Sequence, residues 1–131
     1  MSAFSYSEQQ LQQLAAQVLD TARAQGATSA DVEVSESVGQ NVSVRLGDVE
    51  TIEYNRDKGV GVTVYLGQAK GHASTSDYSA QALADTVRAA VAIARYTAAD
   101  EYAGLPDAAL LATRFPDLDL YHGWDLPVDD A

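Results

Sequence analysis

Val42–Thr75 reads VSVRLGDVETIEYNRDKGVGVTVYLGQAKGHAST, and its apolar residues recur every second position. Val42, Val44 and Leu46, then Val60, Val62, Val64 and Leu66, alternate with polar or small residues, the period of a strand that buries one face. Working back, Val32 and Val34 keep the same period. Working forward, Ala69–Thr75 places Ala69, Gly71 and Ala73 on one side and Lys70, His72 and Ser74 on the other. Val49–Asn55 is less regular, with Ile52 and Tyr54 in phase and Val49 out of it. Short turn-forming breaks at Gly39, Gly47-Asp48, Asp57-Lys58-Gly59 and Gly67 predict about five strands joined as antiparallel hairpins.

A helical period flanks the strands on both sides. Leu11, Leu14, Ala15, Val18, Leu19 and Ala22 form one stripe, with Ser7 and Gln10 spaced as a capping box and Gly26 as a stop. Ser79–Arg95 repeats the pattern through Leu83, Val87, Ala90, Val91 and Ala94, with Ser76, Asp77 or Ser79 as its N-cap. A stripe made mostly of alanine suits a helix lying close on a sheet. The expected fold is a two-layer α+β domain, a mainly antiparallel sheet with both helices on one face.

The composition bounds the function. The chain has 131 residues and a net charge of -11, with 19 acids against 8 bases. Leu, Ile, Val and Phe are only about a fifth of it, near the limit below which charged chains stay disordered, so the clustering of these residues on strand faces and helix stripes is what makes a core. The absence of cysteine excludes disulfides, thiolate metal sites and thiol nucleophiles. The opening MSAFSYSEQQ has neither the basic nor the apolar part of a secretory leader, and the expectation is a soluble cytoplasmic protein. Excess negative charge repels phosphate backbones and anionic lipid. Only Arg56, Lys58 and Lys70 offer a basic patch, so no direct nucleic-acid or membrane role is expected.

Charge is uneven along the chain. Residues 99–131 hold eight acids, a single base, Arg114, and all three prolines, Pro106, Pro116 and Pro127. The expected organisation is an α+β domain over 1–98 and an acidic, proline-containing extension over 99–131. Asp125, Pro127, Asp129 and Asp130 resemble the first turn of a further helix, which points to a continuation into a C-terminal domain absent from this chain.

Motifs of catalysis are weak. Gly59-Val60-Gly61 lies in a strand rather than opening a helix, so it is not a phosphate loop. His72 and His122 lack ligands at metal-binding spacing, although Asp119 and Asp125 lie near His122. The serines of Ala73–Asp77 have no nucleophile elbow around them. Asp48, Glu50 and Glu53 lack the pattern of a calcium loop and read as a solvated rim. The outer phase of the sheet stands out instead. Ser43, Arg45, Thr63 and Tyr65 are expected to point away from the helices and to form a partner or peptide surface.

The run from Arg45 to Asp77 resembles the N-terminal domain of the PmbA/TldD family, with Gly47, Glu50, Gly59, Gly61, Gly67, Gly71, Ser74, Thr75 and Asp77 as motif positions. Ile93–Thr97 (IARYT) and Leu120–Asp125 (LYHGWD) are more similar to the PmbA (TldE) branch than to the TldD branch. The family is described as modulators of DNA gyrase and classed as metallopeptidase-related. The resemblance implies a heterodimeric cytoplasmic protease that degrades unfolded peptides and helps to mature a microcin. In such an assembly zinc sits on an HExxxH helix in the C-terminal part of the TldD-type subunit. This sequence has no such motif, so no catalytic or metal residue carries over and the chain is expected to be inactive alone. Its implied partners are a TldD-like protease subunit, its own C-terminal domain and unfolded peptides. An autonomous peptide- or protein-binding module using the open sheet face or an edge strand is the alternative.

Overall fold

The structure is a computed structural model that describes residues 4–123 and 127. The sequence expectations for Asp125, Asp129, Asp130 and the end of the LYHGWD segment lie outside the described residues. Helix α1 spans Glu8–Ala24, strand β1 Ser29–Arg45, β2 Asp48–Leu66, β3 Ala69–Thr75 and helix α2 Ala80–Tyr96, followed by a 3-10 turn at Ala108–Leu110. The sheet order is β1-β2-β3. The α+β class and the two helices match the sequence pattern, but the sheet has three strands, not five.

The correction has a physical cause. Gly39 and Asp57-Lys58-Gly59 are turn formers in isolation, yet here they run through as extended backbone inside β1 and β2. Positive φ among the described glycines is confined to Gly26, Gly47 and Gly67. Both strands lie beside a hydrogen-bonded neighbour in the sheet, and a strand ladder outweighs the local preference for turning. The true reversals are tight. Leu46 and Gly47, at φ 56° and 92°, fill a two-residue turn between β1 and β2, the left-handed geometry that matches strand twist. Gly67, at φ 62°, turns β2 into β3 and donates its N–H to Thr28 Oγ1 at 3.0 Å.

By contact the chain divides into two compact units, residues up to Val38 with Arg56–Leu105, and Gly39–Asn55 with the chain from Pro106 onward. The first unit holds the core. In the β2–β3 register Val60, Val62 and Val64 lie opposite Thr75, Ala73 and Gly71. The three valines are buried with Leu83, Val87, Ala90, Val91 and Ala94 of α2 and with Val18 and Ala22 of α1. Both helices therefore cover one face of the sheet. Each valine at this depth contributes about 1.5 kcal/mol or more from burial. Gly71 lies directly under the Ala90–Ala94 turn of α2, where a side chain would meet helix backbone. The one buried polar side chain among the described residues, Thr86, donates to the Ala82 carbonyl at 2.7 Å.

Capping sets the helix ends. Ser7 and Gln10 form the capping box of α1, and Ser79 is the N-cap of α2, accepting from Ala82 N–H. Ahead of α1, the Glu36 carboxylate accepts the N–H groups of Ser5 and Tyr6 at 2.8 and 3.1 Å, and the Arg56 guanidinium donates to Ser5 Oγ at 2.7 Å. The Ser5 N–H lowers the Glu36 pKa most, desolvation opposes it, and the Tyr6 N–H, the Ser5 hydroxyl and Arg56 add to the lowering. These bonds pin the N-terminal segment to β1 through Glu36 and to β2 through Arg56.

In the second unit the Gly39–Asn55 hairpin is exposed on most of its surface, Val42 being half-buried. Large apolar side chains there and along the C-terminal segment face solvent, among them Tyr54, Leu110, Phe115 and Leu120. Among the described residues no helix is long and apolar enough to cross a membrane.

Candidate functional site

Opposite the helices, β2 and β3 present their other phase. Gly61, Thr63 and Tyr65 lie across from Ser74, His72 and Lys70. Thr63 Oγ1 and His72 Nδ1 are 3.0 Å apart, a hydrogen bond that fixes the imidazole across the strand. The ring extends along the sheet toward Gly61, where a Cβ would come within 3.3 Å of His72 Cε1.

Two missing side chains then make a depression. Gly59 and Gly61 floor a trough of about 380 Å³, walled by Glu33 and Ser35 of β1 and by His72 and Ser74 of β3, with Lys58 at one end. Four hydroxyl residues, Ser35, Ser74, Thr75 and Ser76, line it with an imidazole, an ammonium and a carboxylate, so it can donate to and accept from a polar chain laid over the glycine backbone. Among the described residues no three His, Cys, Asp or Glu side chains gather closely enough to hold a metal.

The four residues expected to form an outer surface fall in both units. Thr63 and Tyr65 sit on the first unit, Thr63 bonded to the His72 of the trough wall, and the Tyr65 carbonyl accepts from Thr28 N–H and Oγ1 at 2.8 and 2.9 Å. Ser43 and Arg45 belong to the second unit and are exposed. Arg45 Nη1 lies 3.3 Å from Glu50 Oε1 in an exposed pair of small energetic weight. His122 Nε2 is 4.0 Å from Asp119 Oδ2, both well exposed.

The motif positions have geometric explanations. Gly47 and Gly67 make turns, Gly59 and Gly61 the trough floor, and Gly71 the seat of α2. Glu50 pairs with Arg45, and Ser74 faces outward on the trough wall. Thr75 Oγ1 accepts from Asp77 N–H at 3.1 Å, and Asp77 Oδ1 accepts from Ser79 N–H at 2.8 Å, leading the chain into α2. The Ser79 N–H holds the Asp77 carboxyl below the ordinary range, with Lys58 adding to the effect.

Sequence reasoning missed Tyr78. Its hydroxyl donates to the Ser35 carbonyl at 2.6 Å and approaches the Gly59 carbonyl at 3.3 Å, tying the α2 entry to β1 and β2. Burial raises its pKa, partly offset by the bond to Gly59. These partners are 43 and 19 residues away, and no local pattern marks them.

Residues 30–94 match the family profile described as PmbA/TldA metallopeptidase domain 1. The chain is 46% identical over 124 residues to the Metalloprotease PmbA homolog of Haemophilus influenzae, covering 95% of this chain and 27% of that protein. It is 50% identical over 102 residues to Metalloprotease PmbA of Escherichia coli O157:H7, 78% of this chain and 23% of that one. A Metalloprotease PmbA homolog of Buchnera aphidicola is 34% identical over 103 residues, 79% and 23% of the two chains. The chain thus spans about a quarter of the length of these curated relatives. The profile match includes the core strands, both reversals and nearly all of α2, and on these grounds residues 30–94 of this chain are a PmbA/TldD-family metallopeptidase domain.

Proposed function

We propose that this chain is the N-terminal, non-catalytic domain of a PmbA-branch subunit in a TldD/PmbA-type metalloprotease acting on unfolded peptides, and that it helps to build the assembly or to shape substrate access. In this reading residues 1–98 are the domain proper, and 99–131 lead toward a C-terminal domain. Zinc belongs to a TldD-like partner, and the assembly works in the cytoplasm. The supporting observation is the first-domain match on a stretch whose motif positions serve turns, packing and a trough.

The purified chain, incubated with an unfolded protein substrate with and without added zinc, is expected to release no peptides above a blank. Cleavage that co-purifies with the chain and is lost on its removal overturns the non-catalytic part. Deleting the matching domain from a full-length PmbA-type subunit is expected to abolish its complex with a TldD-type subunit or to change the peptide lengths cleaved. Retention of both overturns the assembly part.

A second reading, an autonomous binding module, draws on the glycine-floored trough. An unstructured peptide is then expected to shift the amide resonances of Gly61, Thr63 and His72, and silence at millimolar peptide counts against it.

A further inference from the structure

A different cavity, of about 460 Å³, opens where α1 faces the loop entering α2. Its walls include the Tyr6 and Tyr78 rings, Lys58, Asp77, and the Gln13 and Gln17 side chains. Its size is in the range of small-molecule sites. The two rings pack tilted, with centroids 5.0 Å apart. Lys58 Nζ lies 4.8 Å from the Tyr78 centroid and 5.5 Å from that of Tyr6. Attraction to ring faces positions the ammonium without using its N–H donors on an acceptor atom.

Asp77 is held by the backbone that enters α2. One carboxylate oxygen accepts the Ser79 N–H at 2.8 Å, which orients the group. Lys58 and Asp77 line the same cavity yet do not pair with each other, and the ion pairs among the described residues lie elsewhere. Two opposite charges that line one cavity without pairing select a ligand that complements both. A simple anion meets repulsion from Asp77, and a simple cation meets Lys58 on the very rings that would attract it. A ligand carrying both charges satisfies both. The Gln13 and Gln17 amides, each with a donor and an acceptor, suit a polar spacer between them.

We propose that this cleft binds a small zwitterion, of the amino-acid or dipeptide kind, with its carboxylate on Lys58 and its ammonium on Asp77. The site shares Lys58 with one end of the sheet-face trough and has an otherwise different lining, and its occupancy does not depend on the assembly reading.

The test uses the full 131-residue chain and glycylglycine as probe, followed by amide chemical shifts of Tyr6, Lys58 and Tyr78. Binding at millimolar concentration is expected. N-acetylglycylglycine, which lacks the ammonium, and glycylglycinamide, which lacks the carboxylate, are each expected to bind about tenfold more weakly, the scale of one charge-assisted bond. Lys58→Met keeps the apolar stem on the rings. It is expected to remove the distinction between glycylglycine and its amide while keeping that between glycylglycine and its acetyl form. Asp77→Asn keeps an acceptor for Ser79 and is expected to do the reverse. Equal binding of the three ligands, or no shifts at tens of millimolar, overturns the proposal. So does an unchanged preference pattern in the two variants. Should either variant fail to fold, the comparison of the three ligands on the wild-type chain decides.

Discussion

Replacing Gly71 with alanine should cost the first unit about 3 kcal/mol in packing, the upper end of the cost of overpacking a core. A Cβ built there runs into the Ala90 carbonyl oxygen and comes within 2.5 Å of Ala94 N and 3.1 Å of Ala90 C. Ordinary contact requires roughly 3.5 Å or more, so α2 must retreat by about 1 Å along this turn. The obstruction is helix backbone, which cannot rotate aside. A gap of that size forfeits roughly a quarter to a half of the dispersion attraction at each separated contact, and Val87, Ala90, Val91 and Ala94 all bury against this region. Alanine also restricts the unfolded chain, which returns roughly 0.4–1 kcal/mol, for a net loss of about 2–3 kcal/mol. For a unit of this size the melting temperature should fall by on the order of 10–20 °C. Urea unfolding followed by far-UV circular dichroism should show a lower Cm with an unchanged slope. Gly39→Ala is the control. Its Cβ meets only Asn55 Cβ at 4.0 Å, and its effect should stay within about 0.5 kcal/mol. A Gly71→Ala variant as stable as wild type, or one no worse than Gly39→Ala, refutes the packing argument.

Tyr78→Phe removes the donor shared by the Ser35 and Gly59 carbonyls and should lower stability by about 1–2 kcal/mol in the same urea assay. No change would mean that the hydroxyl does not tie the helix entry to the sheet. Glu36 has its pKa lowered by the Ser5 and Tyr6 amides, so its contribution is fully present above the unfolded carboxylate pKa and is lost as pH falls toward the folded value. The stability advantage of wild type over Glu36→Gln should therefore shrink between about pH 6 and about pH 3, and a constant or growing advantage contradicts this. Leu46 is 97% exposed with φ 56°. Asparagine tolerates that backbone better, so Leu46→Asn should raise hydrogen-exchange protection around the turn by up to ~1 kcal/mol. Faster exchange would argue against the left-handed turn.

What the residues determine locally is the class of the fold and the phase of its faces. The helix stripe through Leu83, Val87, Ala90 and Val91, the capping box at Ser7 and Gln10, and the alternation of Val60, Val62 and Val64 each depend on neighbours within one or two turns, and each is legible in sequence. So is β3, whose small inward residues leave room for α2. Strand length was not legible, because Gly39 and Asp57-Lys58-Gly59 carry turn chemistry that only a hydrogen-bonding neighbour can overrule. The family, too, shows in the run from Arg45 to Asp77. Tertiary structure alone decided that Tyr78 reaches Ser35 and Gly59, that Thr63 holds His72, and that Lys58 rests on two tyrosines in a cavity that Asp77 also lines. These contacts join residues separated by up to several tens of positions. Their partners are selected by how the helices and strands pack, and no local periodicity encodes that choice.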